Sequence, residues 1–169
     1  MGFETGSGDR KSKNYWICVT SPHNWSVCKA NRLWGAKEAH AFQGDELIRA
    51  GIGDILLIHV TVPFAGEVAV AEVRSLPFVD NTRIWDGPND RSVFPRRVRI
   101  EVLYEFPTVI RTSKWLSELV SSGGRIRAVR GATKPQSLLQ GKAMIPLTRE
   151  EFEFVYGKIR KVNPRAPSL

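Results

Sequence analysis

The sequence predicts an α+β fold, and three observations carry that prediction. Continuous apolar runs at Tyr15–Thr20 and Ile55–Val60 have the length and the β-branched or aromatic content of buried strands. Period-two alternation at Glu67–Ser75 and Arg96–Tyr104 marks strands with one covered face. Between them lie segments with helix start and stop signals, most clearly Thr148-Arg149-Glu150-Glu151, a capping box opening the last helix.

Each element follows from its residues. After Tyr15–Thr20, Ser21 or Asn24 can cap a helix that runs to about Asn31, with Pro22 and His23 in its first turn. Arg32 to Gly44 is mixed, and Asp45–Ala50 is a short helix stopped by Gly51. Gly53-Asp54 turns into Ile55–Val60, and a turn with Pro63 leads to the partner strand. There Val68, Val70 and Glu72 share one face, and Ala69, Ala71 and Val73 the other. Leu76 to Phe94 is the longest irregular stretch, rich in Asp, Asn, Gly and Pro, and it carries Trp85; such loops are often functional. Arg96–Tyr104 places Arg97, Arg99 and Glu101 on an outer basic face. Thr112–Ser122 is a helix with Trp115, Leu116 and Leu119 inward, stopped by Gly123-Gly124. Arg125–Gln140 is basic and without a clear pattern, Met144–Leu147 is a short strand, and the final helix ends near Val162, before Asn163-Pro164. Residues 1–13 form a polar lead-in, 14–162 one domain, and 163–169 a tail.

Composition narrows the function classes. The chain has 169 residues, 42% of them hydrophobic, which is enough for one core, and no apolar run nears the roughly 20 residues of a membrane span. Cys18 and Cys28 are not spaced as a CxxC pair and fit buried free thiols in a reducing cytoplasm. His23, His40 and His59 have no metal-ligand spacing, so no metal or other cofactor is expected. The formal net charge of +8 favours a polyanionic partner through counterion release.

Trp34 stands out among the aromatics. It follows an apolar strand, a polar turn and a short helix, which sets a large ring beside a strand end rich in small polar side chains. That arrangement suits a flat heterocycle, whose face stacks while hydroxyls and backbone groups read its edge. Trp85, in its polar loop, either anchors that loop to the core or faces a ligand. Trp16, Trp25 and Trp115 sit on patterned positions and are expected in the core.

Tyr15–Thr20, the helix through Cys28 and Leu33-Trp34-Gly35 resemble the opening of an EVE domain, a relative of the YTH domain within the PUA-like group. Ile48 to Asp54 followed by Ile55–Val60 resembles the next block of that family, and the likeness runs from about Tyr15 to about Lys161. It implies a PUA-like small mixed β-barrel of about five to six strands, flanked by helices, that binds a modified base. By that resemblance Trp34 and Trp85 wall the base pocket, and Thr20, Ser21, Pro22 and His23 form the turn at the base edge. Asp86 or a backbone carbonyl would accept from a cytosine amine. Ser21 stands where YTH readers carry Asn, which argues against carrying their N6-methyladenine preference over.

Two basic groups, Arg96, Arg97 and Arg99, then Arg125, Arg127, Arg130 and Lys134, suit contacts to the nucleic-acid backbone. Catalytic signatures are missing: there is no Ser/His/Asp pattern and no P-loop, and Glu38, His40 and Asp45 make an acid/base set only by proximity in sequence. The expected function is therefore a modified-base reader, with modified cytosine in DNA first. EVE domains often accompany restriction systems, so a McrB-type setting with an AAA+ motor or nuclease as partner or fused domain is expected. An RNA reader of PUA or YTH type and an ASCH-like enzyme are the alternatives.

Overall fold

The computed structural model describes residues 12–36, 47, 49–85, 94–121 and 144–169. Its elements run β1 (Tyr15–Thr20), α1 (Pro22–Asn31), β2 (Leu33–Ala36), β3 (Ile55–Val60), β4 (Gly66–Val73), β5 (Phe78–Val79), β6 (Arg96–Arg111), α2 (Thr112–Ser121), β7 (Met144–Leu147) and α3 (Arg149–Val162). The strands form one curled mixed sheet in the order β2-β6-β4-β3-β1-β7, with the two-residue β5 also on β6. β1 and β3 pair in parallel, Tyr15 opposite Ile55 and Thr20 opposite Val60, and the other pairings are antiparallel.

Local chemistry sets the element boundaries. Ser21 Oγ accepts from the Asn24 amide at 3.2 Å and so starts α1. Thr148 and Glu151 close the expected capping box, with bonds of 3.1 and 2.8 Å. Three elements depart from expectation. Residues 33–36 pair as β2, because Leu33 to Ala36 lie antiparallel to Arg99 to Arg96. Phe78 and Val79 form β5 inside the stretch expected to be irregular. β6 runs on to Arg111 despite Pro107. Pro107 sits in the register jump between the Ala69–Glu105 and Glu67–Ile110 pairs, where no ladder bond needs its missing N–H. Leu47 and Arg49 have helical backbone; the rest of the expected Asp45–Ala50 helix before Ala50 lies outside the described residues except for these two.

The sheet separates two cores. On the α1 side, Trp16, Cys18, Trp25, Cys28, Trp34 and Trp85 pack with Leu56, Ile58, Ala69, Ala71, Val98 and Ile100. On the α2 and α3 side, Tyr15, Ile17, Val70, Phe106, Trp115, Phe152 and Tyr156 form the second. The faces expected for β4 hold for Ala69, Ala71 and Val73 on the first side and Val70 on the second. Val68, expected beside Val70, packs instead on the first side, because the strand's register shifts between Glu67 and Ala69 and breaks the alternation there. Asp54 ties the starts of β1 and β3 together, accepting from Asn14 N, Trp16 Nε1 and Gly51 N at 2.9–3.1 Å. The expected tail is also packed: Asn163 exchanges bonds of 3.0 and 2.9 Å with Thr108, and Tyr156 Oη donates to Pro167 O. Among the described residues no helix is long and apolar enough to cross a membrane.

Candidate nucleic-acid interface

Trp34 lies on β2 opposite Val98 and is 2% exposed. Trp85 is 3% exposed and belongs to the same buried cluster. Gly35 makes their approach possible: a Cβ there would come within 2.7 Å of the Trp85 ring, so only glycine lets that ring lie against β2. Trp85 therefore anchors its loop. Phe94 meets it edge-on at 5.1 Å, and its Nε1 donates to Cys28 Sγ at 3.4 Å.

The indole N–H groups of the deeply buried tryptophans distinguish Trp34. Trp16 donates to Asp54 and Trp115 to Glu67 Oε2 at 2.8 Å, while Trp85 donates to a thiol. Trp34 Nε1 is buried and has no hydrogen-bond partner among the described residues. A buried donor left unmet costs about 1–3 kcal/mol, so it is expected where some other group can meet it.

Thr20 ends β1, and Ser21 to His23 begin α1, with His23 exposed. The Trp25 amide donates to Ser21 O at 2.9 Å, and the Trp25 ring packs in the Trp34 cluster. The turn and the tryptophans are thus joined through one residue. Asp86, Arg125, Arg127, Arg130 and Lys134 lie outside the described residues, as do Glu38, His40 and Asp45.

Arg97 corrects the expectation of an outward basic face. It is 1% exposed, and its guanidinium is fully engaged: Nη1 meets Asp80 at 2.7 Å, Nε donates to Phe94 O at 2.9 Å, and Nη2 donates to Thr82 O. It also lies 5.0 Å over the Trp85 ring. A fork of donors suits this task better than contact with phosphate, because it fastens both ends of the Trp85 loop to β6. Hydrogen bonds from Thr82, helped by Arg97, hold the Asp80 carboxyl below its ordinary value.

Arg99 is exposed, and it opens onto a groove of about 910 Å³ with Lys29, Arg32, Arg74, Glu101 and Glu105. Lys29 pairs with Glu105 at 2.6 Å, and Arg74 with Glu72 and Glu101. Arg32 and Arg99 have no ion pair among the described residues. Sequence reasoning missed Lys29, Arg32 and Arg74, because the helix end and two strands that bring them together are far apart in the chain. The one available signal was Arg32 directly before Leu33-Trp34-Gly35. Arg96 is half-buried at the start of β6.

Cys18 and Cys28 are free and buried. Burial pushes the Cys28 thiol up to about 12 and raises Cys18 well above its ordinary value, so both stay neutral and unreactive. Among the described residues no cluster of His, Cys, Asp or Glu could hold a metal ion.

No family model matches the chain. Over 149 residues it is 28% identical to a UPF0310 protein of Pyrococcus abyssi, covering 84% of this chain and 96% of that one. Human THYN1, solved in complex with DNA containing 5-methylcytosine, superposes with a TM-score of 0.65 at 14% identity, over 87% of this chain and 98% of that one. The YTH domain-containing protein mmi1, solved with RNA, superposes with a TM-score of 0.57 at 14% identity, over 90% and 87%. At such identities the likeness establishes the fold: the curled mixed sheet with its flanking helices is the PUA-like architecture that the sequence led us to expect.

Proposed function

We propose that this domain is a modified-base reader that binds nucleic acid and takes modified cytosine, flipped from duplex DNA, into the site between Trp34 and Trp85. The observation that carries this reading is the buried Trp34 Nε1 without a protein acceptor. Cytosine offers O2 and N3 as acceptors, and meeting a buried donor recovers about 1–3 kcal/mol. Stacking on one indole adds about 1–3 kcal/mol, and burying a 5-methyl group about 0.8 kcal/mol. Together these offset the few kcal/mol that flipping costs. The THYN1 complex with 5-methylcytosine DNA supports the same reading by fold.

Both rings are enclosed, so Trp85 is the movable wall. Its N–H bond to sulfur is weak. Moving the ring gives up its 5.0 Å contact with Arg97, while the Arg97 hydrogen bonds and ion pair still hold the two ends of the loop. Thr20, Ser21, Pro22 and His23 read the base edge, with Asp86 as acceptor for the exocyclic amine. Arg96, Arg99, Arg125, Arg127, Arg130 and Lys134 hold phosphates, and Arg32 joins Arg99 there. Arg97 acts instead through the loop. In this reading the domain is a binding module, and cleavage comes from an AAA+ motor or nuclease partner of a methylation-dependent restriction system.

The test is fluorescence-anisotropy titration at moderate salt with one duplex carrying cytosine, 5-methylcytosine, 5-hydroxymethylcytosine or N6-methyladenine at a single site, and with the matched RNA. A preference of tenfold or more for one modified cytosine in DNA supports the reading. A preference for RNA moves it to the YTH type, which the mmi1–RNA superposition favours. Equal binding to all overturns it.

A further inference from the structure

We infer that the β3–β4 turn, Val62-Pro63-Phe64, is an apolar wedge that enters the base stack of duplex nucleic acid beside the flipped base. The inference rests on the base-reader reading. Val62 is 79% exposed and Phe64 47%, an unusual display for two large apolar side chains at one tip.

The tip is held firmly from below. Thr61 N donates to Thr20 O at 2.9 Å, Ala65 N to Thr61 O at 3.3 Å, and Thr112 N to Ala65 O at 3.0 Å. Gly66 pairs with Arg111, and a Cβ on Gly66 would come within 2.3 Å of Ile110 O, so the turn's second leg presses on β6 backbone. Beneath it lies a buried polar network. Thr112 Oγ1 lies 2.8 Å from both His59 Nδ1 and Glu67 Oε1, and Glu67 Oε2 accepts from Trp115. A hydroxyl has one proton, so Thr112 donates to Glu67 and accepts from His59. A wedge needs such a footing, because a floppy apolar tip would fold back rather than enter a stack.

Charge and place identify the occupant. Arg111, paired with Gly66 at the foot of the tip, and Lys114, three residues further along the chain, are exposed and form no ion pair among the described residues. Glu67, next to Gly66 in the chain, is buried, and its carboxylate already accepts from Thr112 and Trp115. An apolar tip with an exposed arginine at its foot matches a base step beside a phosphate. A second copy of the chain is a poorer fit, since stable dimers bury about 800 Å² per partner and three side chains offer far less. The Thr61–Thr20 bond joins the tip to the turn that reaches the tryptophans through Ser21 and Trp25, so the wedge is tied to the end of β1 that leads to the pocket. Apolar side chains inserted at a base step unstack it, and the gap left by a flipped base needs such a filler.

The test compares Phe64→Ala with the wild-type chain on a duplex carrying one 5-methylcytosine and on the same strand alone. A single strand has no duplex stack to open. We expect duplex affinity to fall tenfold or more and single-strand affinity to stay within twofold. Phe64→Trp, which keeps a wedge, should stay within twofold on both and shows that the site tolerates change. 2-Aminopurine beside the modified base should brighten with the wild type and stay dim with Phe64→Ala. Equal losses on both strands, or no loss on the duplex, overturn the wedge. So does a concentration-dependent dimer that Phe64→Ala abolishes while duplex affinity is unchanged. If the wild type ignores the modification, the reader proposal fails, while the duplex-to-single-strand ratio still decides the wedge.

Discussion

The two faces of the sheet treat their tryptophans differently. On the α2 and α3 side, Trp115 is met by Glu67, Glu67 by Thr112, and Thr112 by His59, so each named buried polar group has a partner. On the α1 side, the Trp34 N–H has none, Trp85 has only a thiol, and the loop carrying Trp85 hangs on Arg97. Both faces are apolar and closely packed, so hydrophobic burial does not distinguish them. The difference lies in the indole donors: the N–H of Trp115 is met, while that of Trp34 is a donor that another molecule can meet. On the α3 side the one unmet buried atom among the described residues is Glu151 Oε1, an acceptor whose partner oxygen already takes the Thr148 amide.

Paired substitutions sharpen this contrast. Trp34→Phe and Trp115→Phe both remove ring volume, worth roughly 1–2 kcal/mol each. Only Trp115→Phe also strips a buried carboxylate of its donor, worth a further ~1–3 kcal/mol. Urea unfolding should therefore show Trp115→Phe as clearly the more damaging, and equal losses would erase the distinction between the faces.

Arg97→Ala should cost roughly 2–4 kcal/mol, since it leaves two carbonyls without their donor. It should also red-shift tryptophan emission as the Trp85 loop loosens, and Arg97→Lys should fail to restore it because one ammonium cannot span all three acceptors. The Asp80 end of this clamp titrates. Its carboxyl is held low in the fold, so its contribution is present above the ordinary carboxylate value and is lost as pH falls through the lowered one. An acid titration of Trp85 emission, compared with Asp80→Asn, would show it.

Thr148→Ala should cost about 1 kcal/mol, read as lower helix stability in α3 with the α1 face untouched. The thiols give the smallest effect at neutral pH. Cys28 is raised, so its contribution is full below the unfolded thiol's ordinary value and is lost as pH climbs toward about 12. A thiol-reactive dye should label neither cysteine in the folded protein near pH 8 and both in denaturant.

The sequence announced most of the framework because local signals were strong. The buried runs of β1 and β3, the Ser21 cap and the Thr148–Glu151 box depend on neighbouring residues alone, and they appear where expected. β2 was hidden because four residues with Gly35 in their midst carry no periodicity; their strand character comes from pairing with β6. The same cause hid the role of Arg97. Alternation placed it outward, but the loop bearing Trp85 folds over it, a contact 12 residues away in sequence that no local pattern encodes. The importance of Trp34 was legible, while its missing acceptor was not, because that depends on every side chain around it.

The most direct test of the central claim is the affinity of wild type, Trp34→Phe and Trp16→Phe for matched 5-methylcytosine and cytosine duplexes. Trp16 shares the cluster with Trp34, but its N–H already has Asp54. If the unmet donor serves a base, Trp34→Phe loses about tenfold in affinity for the modified duplex and most of its preference, while Trp16→Phe keeps both. If Trp34→Phe binds as the wild type does, or if both variants lose affinity equally, Trp34 is a core residue and the account is wrong.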